Sequence, residues 1–133
     1  MTDAAQRNLV LILARDFASR LATPVFLVDP DDNLIYFNEA AERLLGMPFV
    51  EGSVVTADRW SNQVVAADDE DRPLSDDERP LRVALDQRSP SHRSMKIRAA
   101  EGTFRRIEVT AFPLFAHADE CVGAMSIFWE PPE

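Results

Sequence analysis

Leu9, Leu13, Phe17 and Leu21 recur every four residues, with Val10 and Ile12 beside them and Arg15, Asp16, Ser19 and Arg20 on the polar side. That spacing predicts an amphipathic helix over residues 3–22. Asp3 with Gln6 three residues on has the form of a capping box. Thr23-Pro24 ends the helix, because proline disfavours helical geometry in the residue before it. The period then falls to two. Val25–Val28 is a short apolar run of β-formers, and Leu34–Phe37 reads as its return strand. Between them Asp29-Pro30-Asp31-Asp32-Asn33 packs five turn residues together. Asn38 is a good N-cap, with Glu39 in the first turn where the helix dipole favours a negative charge. Ala40, Ala41, Leu44 and Leu45 supply an apolar face, and Gly46 the left-handed stop.

Past Gly46 the period is lost. Met47-Pro48-Phe49 leads to Val54-Val55, and Thr56 is placed to cap a short turn through Ala57-Asp58-Arg59-Trp60, with Trp60 a plug for the core. Order returns at Ser75-Asp76-Asp77-Glu78, a capping box. Pro80 suits a first helical turn, so a helix is expected over residues 80–86 with Leu81, Val83, Ala84 and Leu85 available for burial. Three strands follow. Residues 95–99 alternate, and Glu101-Gly102 is a turn signal. Over residues 103–112, Ile107, Val109 and Ala111 share one face and Arg106, Glu108 and Thr110 the other. Pro113 is expected to stop that pairing, and residues 121–130 form the last strand.

With 133 residues, 46% of them hydrophobic and 28% charged, the chain has the composition of one globular domain with a core. A net charge of −9 excludes a nucleic-acid backbone as partner. The charge is uneven: residues 1–78 carry 6 basic and 16 acidic side chains, residues 79–133 carry 8 and 7. Two differently solvated faces account for this, and an acidic patch for a basic partner is the sharper reading. The single cysteine, Cys121, excludes an internal disulfide and a zinc site of several thiolates. The apolar run from Leu9 to Ala14 is too short to span a membrane and lacks the basic flank of a signal peptide, so the expected address is cytoplasmic. Asp68-Asp69-Glu70-Asp71 lacks the alternation, central glycine and closing glutamate of a calcium loop, and no metal site is expected. No phosphate-binding glycine loop, Gly-x-Ser-x-Gly or paired histidines occur, so the chain is not read as an enzyme and no catalytic residue is assigned.

Three segments together resemble PAS sensory domains. The first is the strand ending in Asp29, the polar turn, the strand ending in Asn38 and the following Ala-Ala-x-x-Leu-Leu-Gly. The second, from Pro73 to Leu85, has the form P-L-x-x-x-E-x-P-L-x-x-A-L. The third, over residues 102–128, has the form G-T-x-R-x-x-x-V-x-A-x-P-L followed by G-A-x-x-x-F. The resemblance covers about residues 24–130. It implies an α+β fold: a PAS-like five-stranded antiparallel sheet with helices on one face, preceded by the N-terminal amphipathic helix of residues 1–23 and followed by a tail at 131–133.

The family's cavity lies between the sheet and its helices. With the register taken from the resemblance, Phe26, Val28, Leu34, Tyr36, Met95, Ile97, Ile107, Val109, Ala111, Ala124, Ser126 and Phe128 point inward. Of these, Phe26, Val28, Tyr36, Met95, Ile97, Ile107, Val109, Ser126 and Phe128 are candidates for lining a ligand site. Tyr36 and Ser126 are the polar handles of an otherwise apolar wall. Flavin photochemistry in related light-sensing domains needs a helical Asn-Cys-Arg motif and polar inner strands. Ile97, Ile107 and Phe128 stand at those strand positions, and Cys121 is not in such a motif. Haem needs an axial ligand, and His92 and His117 read as loop residues. No cofactor is therefore expected. Met125, Ile127 and Trp129 fall on the outer face of the last strand, and with Leu9, Leu13, Phe17 and Leu21 they are candidates for a homodimer interface. No helix is expected after Glu130-Pro131-Pro132-Glu133, so the signal route is expected to run through the N-terminal helix. The function implied is a signal-transduction module, without its own output domain, that senses a small, mainly apolar molecule or mediates protein–protein interaction. A separate signalling protein is its expected partner. The alternatives are a ligand-free dimerisation scaffold and a small isomerase-type α+β enzyme built around a buried base.

Overall fold

A computed structural model describes residues 3–99, 102–117 and 119–132. The side chains of Asp3 and Gln6, expected to form a capping box, and the turn residue Glu101 lie outside the described residues. Helix α1 spans Asp3–Ser19, and strands β1 (Val25–Val28) and β2 (Leu34–Phe37) form a hairpin. Asp29 shapes its turn: Oδ1 accepts from the amides of Asp31 (2.9 Å) and Asn33 (3.0 Å). Helix α2 (Glu39–Leu45) follows. Asn38 caps it by accepting from the Ala41 amide at 3.1 Å, and Gly46 ends it at φ 72°. Helix α3 covers Ala57–Gln63. Thr56 stands at its N-cap without making the side-chain bond. Asn33 Oδ1 accepts from Ala57 instead, at 3.1 Å, which ties α3 to the hairpin turn.

The Ser75–Glu78 capping box forms and opens a short 3₁₀ turn, and helix α4 (Pro80–Gln87) begins with proline at its first position. Strands β4 (Ser91–Ala99), β5 (Arg105–Phe115) and β6 (Cys121–Trp129) complete the sheet.

That sheet has six strands, not five. Val64–Ala67 forms strand β3, which pairs with β4 at one edge, giving the antiparallel order β2-β1-β6-β5-β4-β3. Val-Val-Ala-Ala is four apolar residues without alternation, too short to be told from the end of α3 by period. Nor does Pro113 stop β5, which runs on to Phe115 with Pro113 opposite Ala124. The β4 ladder ends at the Ser91–Ala111 pair. Beyond it β5 is bare on one side, where a residue without an N–H is tolerated. Strand β4 also starts earlier than expected, so His92 sits on a strand rather than in a loop.

Alternation divides the apolar residues between two cores. The inner face of the sheet packs Phe26, Val28, Met95, Ile97, Ile107, Val109 and Phe128 against Ala41, Leu45, Trp60, Leu81 and Ala84 of α2, α3 and α4. The outer face packs Val25, Leu27, Tyr36 and Met125 against Leu11, Ala14, Ala18 and Leu21 of α1 and its exit. Helix α1 thus covers its own sheet, but not with the face the four-residue repeat suggested. Leu9, Ile12, Leu13 and Phe17 are exposed on its other side. The helix ends at Ser19, short of the expected residue 22, so Leu21 lies on its exit and reaches the sheet there, while Leu9, Leu13 and Phe17 on the helix do not.

A small void with a charged mouth

The inner core is not completely filled. A void of about 40 Å³ remains between the sheet, α3 and α4. Of the nine candidate lining residues, Phe26, Met95, Ile97, Ile107, Val109, Ser126 and Phe128 wall it. Val28 belongs to the inner core but does not reach the void. Tyr36 is not on the inner face at all. The β1–β2 register is Val28 to Leu34 and then Leu27 to Tyr36, so β2 carries one extra residue, Ile35. A bulge of one residue reverses the phase of a strand. Tyr36 therefore joins Leu27 beneath α1, where its ring meets Phe49 edge-on at 4.9 Å and the Arg15 guanidinium lies 4.8 Å over it. Arg15 also pairs with Glu51, Nη1 to Oε1 at 2.6 Å, joining α1 to the segment after α2.

Asp32, Trp60, Val64, Ala66, Arg79, Pro80 and Leu81 complete the wall. Asp32 and Arg79 change its chemistry. Asp32 sits in the β1–β2 turn at φ 66°, a left-handed conformation that costs a non-glycine residue energy. Its carbonyl accepts from Trp60 Nε1 at 2.9 Å, which pins the indole. Its side chain points inward and is 3% exposed. Oδ2 lies 3.6 Å from Nη2 of Arg82 on α4, and Oδ1 has no hydrogen-bond partner among the described residues. The Arg79 guanidinium lies 4.4 Å over the Trp60 ring. Burial pushes the Asp32 carboxyl above its ordinary value, although the positive charges of Arg79 and Arg82 oppose this. Burial likewise lowers Arg79, against the pull of Asp32 and Asp76.

The Asp32 shift carries a sign. A carboxyl raised in the folded state supports stability below its ordinary range, and that support is lost as pH rises through the raised value. Glu78 and Glu108 are lowered by hydrogen bonds from Ser75 and from Ser94 and His92, so they act in the opposite direction. The stability difference between wild type and Asp32→Asn separates the two effects. It should fall steadily as pH rises above the ordinary carboxyl value of 3.8. Urea melts at stepped pH measure it, and a flat or rising difference contradicts the assignment.

The seven dimer candidates divide. Leu9, Leu13, Phe17 and Trp129 are exposed, whereas Met125 is buried under α1 and Leu21 and Ile127 pack against the same outer core. The void, Asp32 and Arg79 are set by how the hairpin turn and α4 close over the inner face of the sheet. A profile described as the PAS fold matches residues 13–128, nearly the whole chain. The chain belongs to the PAS family.

Known structures agree with this PAS fold. The PAS domain of Bordetella pertussis BvgS is 16% identical at a TM-score of 0.63, over 92% of this chain and 86% of that one. The LOV domain of the Erythrobacter litoralis EL346 blue-light activated histidine kinase is 20% identical at 0.58, over 86% of this chain and all of that one. A phage VqmA–DPO complex is 18% identical at 0.65, over 96% of this chain and 56% of that one. No curated protein matches in sequence. Membership places the chain among sensory and signalling modules. No helix among the described residues is long and apolar enough to cross a membrane, and no group of three or more His, Cys, Asp or Glu there could hold a metal.

The void is about 40 Å³, and the only thiol, Cys121, is outside it, with Sγ directed at the Gly123 carbonyl at 3.3 Å. Neither His92 nor His117 lines the void.

Proposed function

We propose that this PAS module senses a compact, mainly apolar molecule and relays the signal through α1, as a cytoplasmic homodimer that uses no flavin, haem or metal and acts on a separate signalling protein. The observation that carries the reading is the void, apolar on its sheet side and charged where Asp32 and Arg79 close it. A void is unstabilising, because its walls forgo packing contacts. A buried carboxylate beside it adds a second cost. Neither helps the fold, and both suit a receptor. For the output, Leu9, Ile12, Leu13 and Phe17 form an exposed apolar stripe at helical spacing. Two copies of one stripe are self-complementary about a two-fold axis, which supports a second copy as the cover.

One observation favours a second reading, a ligand-free interaction scaffold. At about 40 Å³ the void is roughly a tenth of an ordinary small-molecule site, which runs to about 300–1,000 Å³. Native mass spectrometry of protein taken from its own cell separates the two. The expected spectrum is a dimer carrying a small organic molecule, from a sample without visible absorbance. A dimer with bare mass gives the scaffold reading. A monomer at high concentration refutes the dimer, and a Soret or flavin band refutes the cofactor-free core.

A further inference from the structure

Asp32 bears three costs at one residue: a left-handed backbone, a carboxylate almost wholly removed from water, and one carboxylate oxygen without a donor. Unsatisfied burial that the fold does not need points to a function. The turn requires the left-handed backbone at this position, but the neighbouring aspartates show that it does not require a buried carboxylate. Asp29 makes the turn's hydrogen bonds, and Asp31 lies exposed. Asp32 alone is turned inward, to the wall of the void, where Trp60 is held against it and the Arg79 guanidinium has no hydrogen-bond or ion-pair partner among the described residues.

We propose that Asp32 is the recognition residue of the void, accepting a hydrogen bond at Oδ1 from an N–H or O–H of a compact neutral molecule whose adjacent acceptor faces Arg79. This rests on the sensory reading above and names the ligand class it leaves open. The donor requirement follows from Oδ1, a bare acceptor that is costly to leave unmade in a dry site. Neutrality follows from the charge balance. Arg82, 3.6 Å from Oδ2, and Arg79 already oppose the Asp32 charge, so a cation gains little there. Phe26, Val109 and Phe128 then clasp an apolar body. An amide-like edge, N–H beside C=O, meets both polar demands at once. A ring is larger than the closed void of about 40 Å³, so binding requires Arg79 to lift from the Trp60 face and open it, since the two side chains border the void together.

Three five-membered rings test the idea: 2-pyrrolidinone, with N–H beside C=O; cyclopentanone, with the acceptor alone; and pyrrolidine, a cation at neutral pH. Binding is read from the indole N–H signal of Trp60 in ¹H–¹⁵N spectra of the whole protein. The expected order places 2-pyrrolidinone about tenfold tighter than cyclopentanone, which matches one charge-assisted hydrogen bond. Asp32→Gly, which keeps the left-handed turn without strain, should erase that preference while both neutral rings still bind. Asp32→Asn should melt at a higher temperature than wild type, because it removes a buried charge.

Equal binding of the two neutral rings overturns the inference and leaves the sensory reading intact. So does a preference that survives in Asp32→Gly, tighter binding of pyrrolidine, or a lower melting temperature in Asp32→Asn. If none of the rings shifts the Trp60 signal at millimolar concentration, the void admits no ligand of this size, and the sensory reading falls with the inference.

Discussion

Asn38→Leu is expected to destabilise the protein by about 3–5 kcal/mol, a large part of the 5–15 kcal/mol that holds a typical domain together. The Asn38 amide makes five hydrogen bonds. Oδ1 accepts from the amides of Val25 and Ala41, both at 3.1 Å. Nδ2 donates to the carbonyls of Ala18 (3.0 Å), Leu21 (3.3 Å) and Thr23 (2.8 Å). Two donors on one side and three acceptors on the other leave only one orientation for the amide. Leucine takes the partner from the Val25 and Ala41 amides and from the Leu21 and Thr23 carbonyls, while the Ala18 carbonyl keeps the Leu21 amide at 3.2 Å; each buried group left unpaired costs about 1–3 kcal/mol before relaxation and water entry reduce the sum. Asn38→Asp is the informative companion. Its carboxylate still accepts from Val25 and Ala41 but faces three carbonyls with no proton to offer. It should release the C-terminal end of α1 selectively, seen as faster amide exchange over residues 11–19 than over β5 and β6. A loss below about 1 kcal/mol in Asn38→Leu, measured by urea denaturation, contradicts this account.

Half of that hub was legible in the sequence. Asn followed by Glu-Ala-Ala is an N-cap signature whose reason is local, so the bond to Ala41 could be expected from Asn38 outward. The three donated bonds could not, because they depend on α1 folding back over the sheet. The same line runs through the rest of the chain. On β4, β5 and β6, alternation together with the register taken from the family resemblance puts Met95, Ile97, Ile107, Val109, Ser126 and Phe128 on the face where the structure has the void. On β2 one inserted residue reversed the phase and carried Tyr36 to the other side, and no composition signal marks a bulge at Ile35. Trp60 was readable as a core residue from its size. Its partner Arg79 was not, since an arginine before Pro80 looks like an ordinary helix-entry residue. Asp29, Asp31 and Asp32 are alike to any turn rule, yet one builds the turn, one meets solvent and one is buried. Tertiary closure by α4 decides among them, and the candidate site lives in that decision.

Gly123→Ala is the other substitution with a large expected effect, and it acts through backbone alone. Gly123 lies on β6 at φ 153°, a region that side-chain-bearing residues rarely adopt. A Cβ built there would stand 2.3 Å from the Val28 carbonyl oxygen, closer than real Cβ contacts come. The obstacle is backbone, so no rotamer change relieves it. Val28 pairs with Ala124, the next residue along, and β1 and β6 lie side by side as the second and third of the six strands. Relief must come from moving β1 away from β6, which parts the β1–β2 hairpin from the remainder of the sheet. That hairpin turn also carries Asp32 to the void. Alanine should therefore cost about 3 kcal/mol or more, from strained backbone together with broken ladder bonds. It should also shift the Trp60 indole signal, because the Asp32 carbonyl that holds the indole moves with the turn. Urea denaturation and the ¹H–¹⁵N spectrum of one variant check both. A stable Gly123→Ala protein with an unmoved Trp60 signal would show that β6 accommodates the methyl group without displacing β1, against the geometry of this junction.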